Sequence, residues 1–249
     1  MHREKHLFDR VLDFANLERA FRGASSGKRD RPEIQEFEYD LESRLWEIRR
    51  ELEEGTYRWG AYRRFVIQDP KRREIRAAPF RDRVVHHAIF DVLDPIFMRG
   101  LIADTYAYLP GRGTHRAVER FRAFVRARGG AGYVLQCDVQ SYFASVDHAV
   151  LFALVARRIG DLRLLELVRS LIAHGGEDSG RGMPIGNLTS QLFANLYLDP
   201  LDYFVKQELR VRHHVRYTDD FVLLLDGHVE ARARLAEIES FLRAGCACG

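Results

Sequence analysis

Tyr217-Thr218-Asp219-Asp220 lies between two strand-like runs, Val211 to Arg216 and Phe221 to Leu225. The stretch sets two adjacent carboxylates at the tip of a β-hairpin. Aspartate is disfavoured within a strand and common at a turn, so apolar flanks around an acidic tip make a rigid mount for a cation. Such a mount suits metal-assisted phosphoryl chemistry; a solvated turn is the plain alternative.

A second acidic cluster lies upstream. The run Tyr133-Val134-Leu135-Gln136-Cys137-Asp138 reads as a buried strand that leaves the turn Gly129-Gly130-Ala131-Gly132 and ends at Asp138. An acid closing a buried strand is costly unless something cationic meets it, although Asp138 could equally cap the next turn. Asp147 reads as the N-cap of a helix starting near His148. Between the clusters, Gly182-Met183-Pro184-Ile185-Gly186 forms a turn that passes into a helix with Leu188, Leu192, Leu196 and Tyr197 on one face. An ordinary amphipathic core helix would show the same spacing.

The order of these pieces, a strand ending in Asp, a Gly-Pro-x-Gly turn into a helix, then an Asp-Asp hairpin, resembles the palm of reverse transcriptases. Tyr217 to Asp220 matches that family's Tyr-x-Asp-Asp motif, Asp138 to Phe143 its first catalytic motif, and Gly182 to Gln191 its nucleotide-pocket motif. Phe65 to Arg76 and Pro79 to Val85 look like the fingers motifs of bacterial reverse transcriptases related to group II introns, so the similarity spans about residues 16 to 243. Most bacterial relatives carry Pro-Gln-Gly and Ser-Pro in the pocket motif. This chain has Pro184-Ile185-Gly186 and Ser190-Gln191, which resembles the reverse transcriptases of diversity-generating retroelements.

The resemblance implies an α+β chain, residues 1–249 forming one domain with right-hand polymerase fingers (mainly 16–130) and palm (mainly 131–160 and 182–249) interleaved, and an antiparallel palm sheet packed on helices. The thumb of the family is missing from the sequence given. It implies an RNA-directed DNA polymerase using two Mg²⁺ ions, with Mn²⁺ as a substitute. Asp138, Asp219 and Asp220 would be catalytic and hold the metals together with the carbonyl of Val139. Lys71 and Arg73 would grip the triphosphate. Phe143 would crowd a ribose 2′-hydroxyl, or else pack in the core; Ile185 and Gln191 would border the incoming nucleotide, Ile185 replacing a Gln amide that checks pair geometry. Arg76, Arg81 and Arg112 are candidates for the nucleic-acid backbone, with a surface turn as the alternative for Arg112. The implied partners are an RNA template, a DNA or RNA primer, dNTPs and an accessory protein, and the implied product is error-prone cDNA. An antiphage or untemplated polymerase on the same palm and an inactive RNA-binding fragment are the rival functions.

Composition agrees without adding specificity. The chain has 249 residues and net charge +3, yet residues 61–130 hold 15 Lys or Arg against 7 Asp or Glu. Arginines supply 35 of the 39 basic residues, and their planar fork suits phosphate. The start Met1-His2-Arg3-Glu4-Lys5-His6 lacks an apolar signal core and no run is long enough to span a bilayer, so a cytoplasmic protein with no membrane partner is expected. Cys137, Cys246 and Cys248 have no metal-site spacing. His86-His87 and His213-His214 point to different faces as neighbours in sequence, and read as packing or solvent residues rather than chelators.

Periodicity predicts helices over 35–54, 82–98, 114–128, 148–158, 161–173, 188–208 and 230–243, and strands over 62–68, 133–139, 211–217 and 221–225. Residues 23–32 and 175–182 read as loops.

Overall fold

A computed structural model of the chain describes residues 3–68, 72–176 and 180–244. Helices α1 (Phe8–Leu12), α2 (Phe14–Ser25), α3 (Pro32–Tyr39) and α4 (Leu41–Glu54) lead into the hairpin β1 (Arg63–Gln68) and β2 (Arg72–Ala77). Then follow α5 (Phe80–Met98), α6 (Thr114–Ala127), β3 (Tyr133–Asp138), α7 (Tyr142–Ser145), α8 (His148–Arg158), α9 (Leu162–Gly175), α10 (Leu188–Tyr197) and α11 (Asp199–Tyr203). A π-helical turn, Phe204–Glu208, precedes β4 (His214–Tyr217), β5 (Asp220–Leu225) and α12 (His228–Arg243). The α+β class holds: two small antiparallel sheets stand among helices.

The larger sheet has the order β3-β5-β4. Its central strand β5 is buried on both faces because side chains alternate across it. Phe221, Leu223 and Leu225 join the main core with α2, α5, α8 and α10, while Leu224 joins a smaller cluster with Tyr106, Ala117, Phe124 and Val215 beneath α6. Strand β3 departs from the expected buried strand. Leu135 and Cys137 pack on the main core, but Tyr133 and Val134 remain 41% and 48% exposed. As an edge strand it has one face that the α6 cluster does not reach.

Several elements differ from periodicity alone. Helices α1 and α2 occupy a segment with no expected helix, and α2 includes Gly23 to Ser25 of the expected loop. Asp13 caps α2 by accepting from the Asn16 amide at 3.1 Å, and Leu17, Ala20, Phe21 and Ala24 form its buried stripe. The helix expected over 35–54 begins at Pro32 and breaks at Asp40. The one expected over 188–208 is three pieces, interrupted at Leu198 and loosened into the π turn. The strand expected from residue 211 begins only at His214, because the Val211 amide and the Arg212 carbonyl bond back to Val205 and Lys206 of that turn. Strand β2 was not expected; its Arg72-Arg73-Glu74-Ile75-Arg76 alternation is too polar to read as a half-buried strand. Among the described residues no helix is long and apolar enough to cross a membrane.

Candidate active site

Backbone pairing brings the acids together. Asp138, the last residue of β3, stands opposite Asp220, the first of β5, and the Val139 amide donates to the Asp219 carbonyl at 3.3 Å. One carboxylate oxygen from each of Asp138, Asp219 and Asp220 lies within 4.8 Å of the others. Burial lifts the Asp219 carboxyl above its ordinary range; Asp138 and Asp220 lift it further, and Arg73 pulls it back. Three hard oxygen donors that repel one another fit a divalent cation such as Mg²⁺, whose charge would remove the repulsion.

The tip that presents them is a two-residue hairpin, since Tyr217 pairs with Asp220. Thr218 has φ +57°, a left-handed conformation that a β-branched residue adopts only under constraint. Two side chains brace it. Tyr108, itself at φ +56°, has its hydroxyl within side-chain reach of Thr218. Arg216, 0% exposed, donates from Nη1 to the Thr218 carbonyl at 2.9 Å.

The pocket turn is stitched to its neighbours by backbone groups. Met183 N donates to Phe143 O at 2.7 Å, Gly182 N to Val146 O at 2.8 Å, and His148 N to Gly180 O at 3.1 Å. On the opposite side the Arg76 amide reaches the Ile185 carbonyl at 3.4 Å, and a Cβ on Gly186 would meet Ile75. The turn thus bridges the fingers strand β2 and the segment that follows Asp138. Gly182 (φ +92°) and Gly186 (φ +109°) supply the backbone it requires.

The other expected residues fall into groups. Arg73 lies within electrostatic reach of Asp219, on the exposed start of β2. Phe143 is half-buried, its ring against Tyr142, whose hydroxyl donates to the buried Ala194 carbonyl. Ile185 and Gln191 are half-buried, at the turn and on the first turns of α10. Lys71 lies outside the described residues. Arg76 leans on Glu74, and Arg81 stacks over Tyr57 and pairs with Glu51 at 2.8 Å. Arg112 donates from Nη1 to the carbonyls of Ile102, Ala103 and Thr105, so one arm of the guanidinium closes the loop leading to Tyr108. Its Nη2 and Nε take no part in these three bonds.

The histidine pairs behave as packing residues. Burial drives His86 down to about 3 and His214 to about 4, so both rings are neutral at ordinary pH. Asp147 caps α8 as expected, accepting from Ala149 N and Val150 N. Sequence reasoning missed Tyr108, Asn195, Asp202 and Arg216. The signal was there for two of them: a lone Arg in the apolar strand Val215-Arg216-Tyr217 and an Asp in the apolar stretch Leu198 to Val205 both need buried partners.

Residues 67–246 match the reverse transcriptase (RNA-dependent DNA polymerase) family. The group II intron-encoded protein LtrA of Lactococcus lactis subsp. cremoris is 27% identical over 175 residues, covering 67% of this chain and 29% of LtrA. Protein YkfC of Escherichia coli (strain K12) is 27% identical over 221 residues, covering 72% of this chain and 58% of YkfC. The chain therefore spans under a third of the first and a little over half of the second. A partial Cas6-RT-Cas1--Cas2 complex contains a chain with the same fold, with a TM-score of 0.53 and 21% identity over 96% of this chain and 41% of that one. With the acids, the pocket turn and the fingers hairpin in the places the motifs require, the chain belongs to the reverse transcriptase family.

Proposed function

We propose that this chain is the fingers and palm of an RNA-directed DNA polymerase, with fingers mainly in 16–130 and palm mainly in 131–160 and 182–249. The observation that carries this is the convergence of Asp138, Asp219 and Asp220 within 4.8 Å at a strand end and a hairpin tip. These residues, with the carbonyl of Val139, would hold two divalent ions, Mg²⁺ or Mn²⁺. When bound, such ions acidify a primer 3′-hydroxyl and neutralise a leaving pyrophosphate. The chain itself orients the reactants. Arg73, near Asp219, offers a guanidinium to a triphosphate, Lys71 is its companion in that role, and Arg76 and Arg112 are candidates for the nucleic-acid backbone. Phe143 crowds the sugar, and the turn at Ile185, joined to β2, forms one wall of the nucleotide site, with Gln191 beyond it. Arg81, held on Tyr57 by Glu51, is a less direct candidate for nucleic acid. The partners are then an RNA template, a primer and dNTPs, in the cytoplasm.

The finer reading is a diversity-generating retroelement enzyme, served by an accessory protein and copying RNA with errors opposite adenine. It rests on Ile185 standing where relatives carry a Gln amide. A single contact of about 1 kcal/mol would change discrimination several-fold.

The test is primer extension on an RNA template with Mg²⁺, comparing the chain with its Asp219→Asn variant. Extension is expected from the first and not from the second. Equal extension by both would remove the acidic cluster from the chemistry. Sequencing the cDNA from Ile185→Gln tests the finer reading, with fewer errors opposite adenine expected; an unchanged error rate would withdraw it.

A further inference from the structure

Behind the acidic hairpin lies a closed ionic knot. Arg216 and Asp202 are both 0% exposed. Arg216 Nε lies 2.9 and 3.0 Å from the two Asp202 oxygens, and Nη2 lies 2.7 Å from Oδ2. Thr105 donates to the same oxygen at 2.9 Å. The remaining donors of Arg216 reach Asn195 Oδ1 at 3.4 Å, the Asn195 carbonyl at 3.3 Å and the Thr218 carbonyl at 2.9 Å. Asn195 is in turn held by the Ala107 carbonyl at 2.8 Å. The guanidinium therefore joins α10, α11 and the hairpin tip.

A buried ion pair is a poor source of stability, because desolvation offsets most of the attraction. Charge neutralisation of Asp202 would need only a cation. The geometry asks for more: a flat, forked donor whose third arm fixes the carbonyl one residue before Asp219. Thr218 occupies a left-handed conformation that is unfavourable for a β-branched residue, and such residues persist where their surroundings over-determine them. The Arg216 bond supplies that constraint from inside, and Tyr108 supplies it from the exposed side.

We propose that Arg216 is a positioning residue, which uses Asp202 and Asn195 as its anchors to hold the Thr218 carbonyl and thereby set Asp219 against Asp138 and Asp220. It touches neither metal nor substrate. The proposal rests on the metal-site reading of the three acids, and the experiment separates the two.

The probe is Mn²⁺ alone, titrated against the folded chain and followed by its electron paramagnetic resonance signal. Unfolding curves for each variant establish that it is folded. Asp219→Asn identifies the part of the binding that belongs to the cluster. Arg216→Lys keeps the charge beside Asp202 and loses the fork; Arg216→Met with Asp202→Leu removes the pair together, which spares the fold an orphaned charge. Outer supports of metal ligands are worth about 10–100-fold in affinity, so both variants are expected to weaken the Asp219-dependent binding about tenfold. Full affinity in Arg216→Lys would show that charge alone matters, and full affinity in the folded double variant would show that the bond to Thr218 is dispensable; either overturns the proposal. Mn²⁺ binding that Asp219→Asn leaves untouched would overturn the metal-site reading and the positioning role with it.

Discussion

The amide of Val139 donates to the carbonyl of Asp219 across 3.3 Å, tying the residue after the first acid to the backbone of the second. The bond lies at the point where β3 stops pairing with β5, so the ladder itself sets the spacing of the carboxylates. Loop flexibility does not set it.

Three carboxylates within 4.8 Å repel one another, and Asp219 is half-buried. Asp219→Asn should therefore stabilise the metal-free chain while abolishing extension, by a few tenths to about 1 kcal/mol once solvent screening is allowed for. Thermal denaturation with and without Mg²⁺ checks this. The unsubstituted chain should gain stability from Mg²⁺ and the variant should not; a variant less stable than the parent without metal would contradict the repulsion.

Phe143→Ala should open the space beside the sugar and raise rNTP use relative to dNTP use. The ring is half-buried against Tyr142, so the loss of stability should stay within about 1–3 kcal/mol. Competing rNTP and dNTP incorporation on one template measures it. Unchanged sugar preference in a folded variant would return Phe143 to core packing.

Gly182→Ala places a side chain at φ +92°, where its Cβ meets nothing closer than the Ala144 carbonyl at 3.7 Å. Space is adequate, so the cost is conformational, about 1–2 kcal/mol. The turn that carries Ile185 should loosen from Val146, and the KM for dNTP should rise more than kcat falls. A variant with unchanged KM would show that the turn tolerates the strain without moving the nucleotide wall.

His86 is 1% exposed beside Trp59, and neither ring nitrogen has a hydrogen-bond partner among the described residues. Burial holds it near 3, with His87, His174 and Arg83 adding repulsion. An unfolded His has a pKa near 6.5, so the unfolded chain binds a proton that the native chain refuses. Stability is therefore complete above about 6.5 and is lost as pH falls toward 3. His86→Phe should abolish about 1.4 kcal/mol of the loss between pH 7.5 and 5.5. Denaturant unfolding at the two pH values decides it; the same pH dependence in the variant would mean that the ring is not the group responsible.

Much of the site was legible in the sequence because its backbone elements are local. A hairpin whose flanks are apolar and whose tip is acidic can be read from ten residues, as can a strand that ends in Asp. The turn at Gly182 announces itself by glycines that the observed positive φ values require. Partners distant in sequence were not legible. That Arg112 holds the carbonyls of Ile102, Ala103 and Thr105 is visible only once the chain is folded. Arg81 likewise acquires Glu51 of α4 and Tyr57 of the following loop only in the folded chain. The exposure of Tyr133 and Val134 depends on β3 being an edge strand, which hydrophobicity alone cannot tell from a central one.

The pairing of β3 with β5 also has a consequence for synthesis. Strands β4 and β5 form a tight hairpin and can close as soon as both exist, whereas β3 must wait for α7 to α11 and the hairpin to be made before its partner exists. Such non-local closure is slow, and during translation Leu135 and Cys137 wait without the core that will cover them. Asp138 meets Asp220 only at the end of that wait. The convergence of the three acids is then among the last features the nascent chain acquires, and a ribosome-bound fragment ending before Asp219 would hold a nearly finished helical core and no acidic cluster.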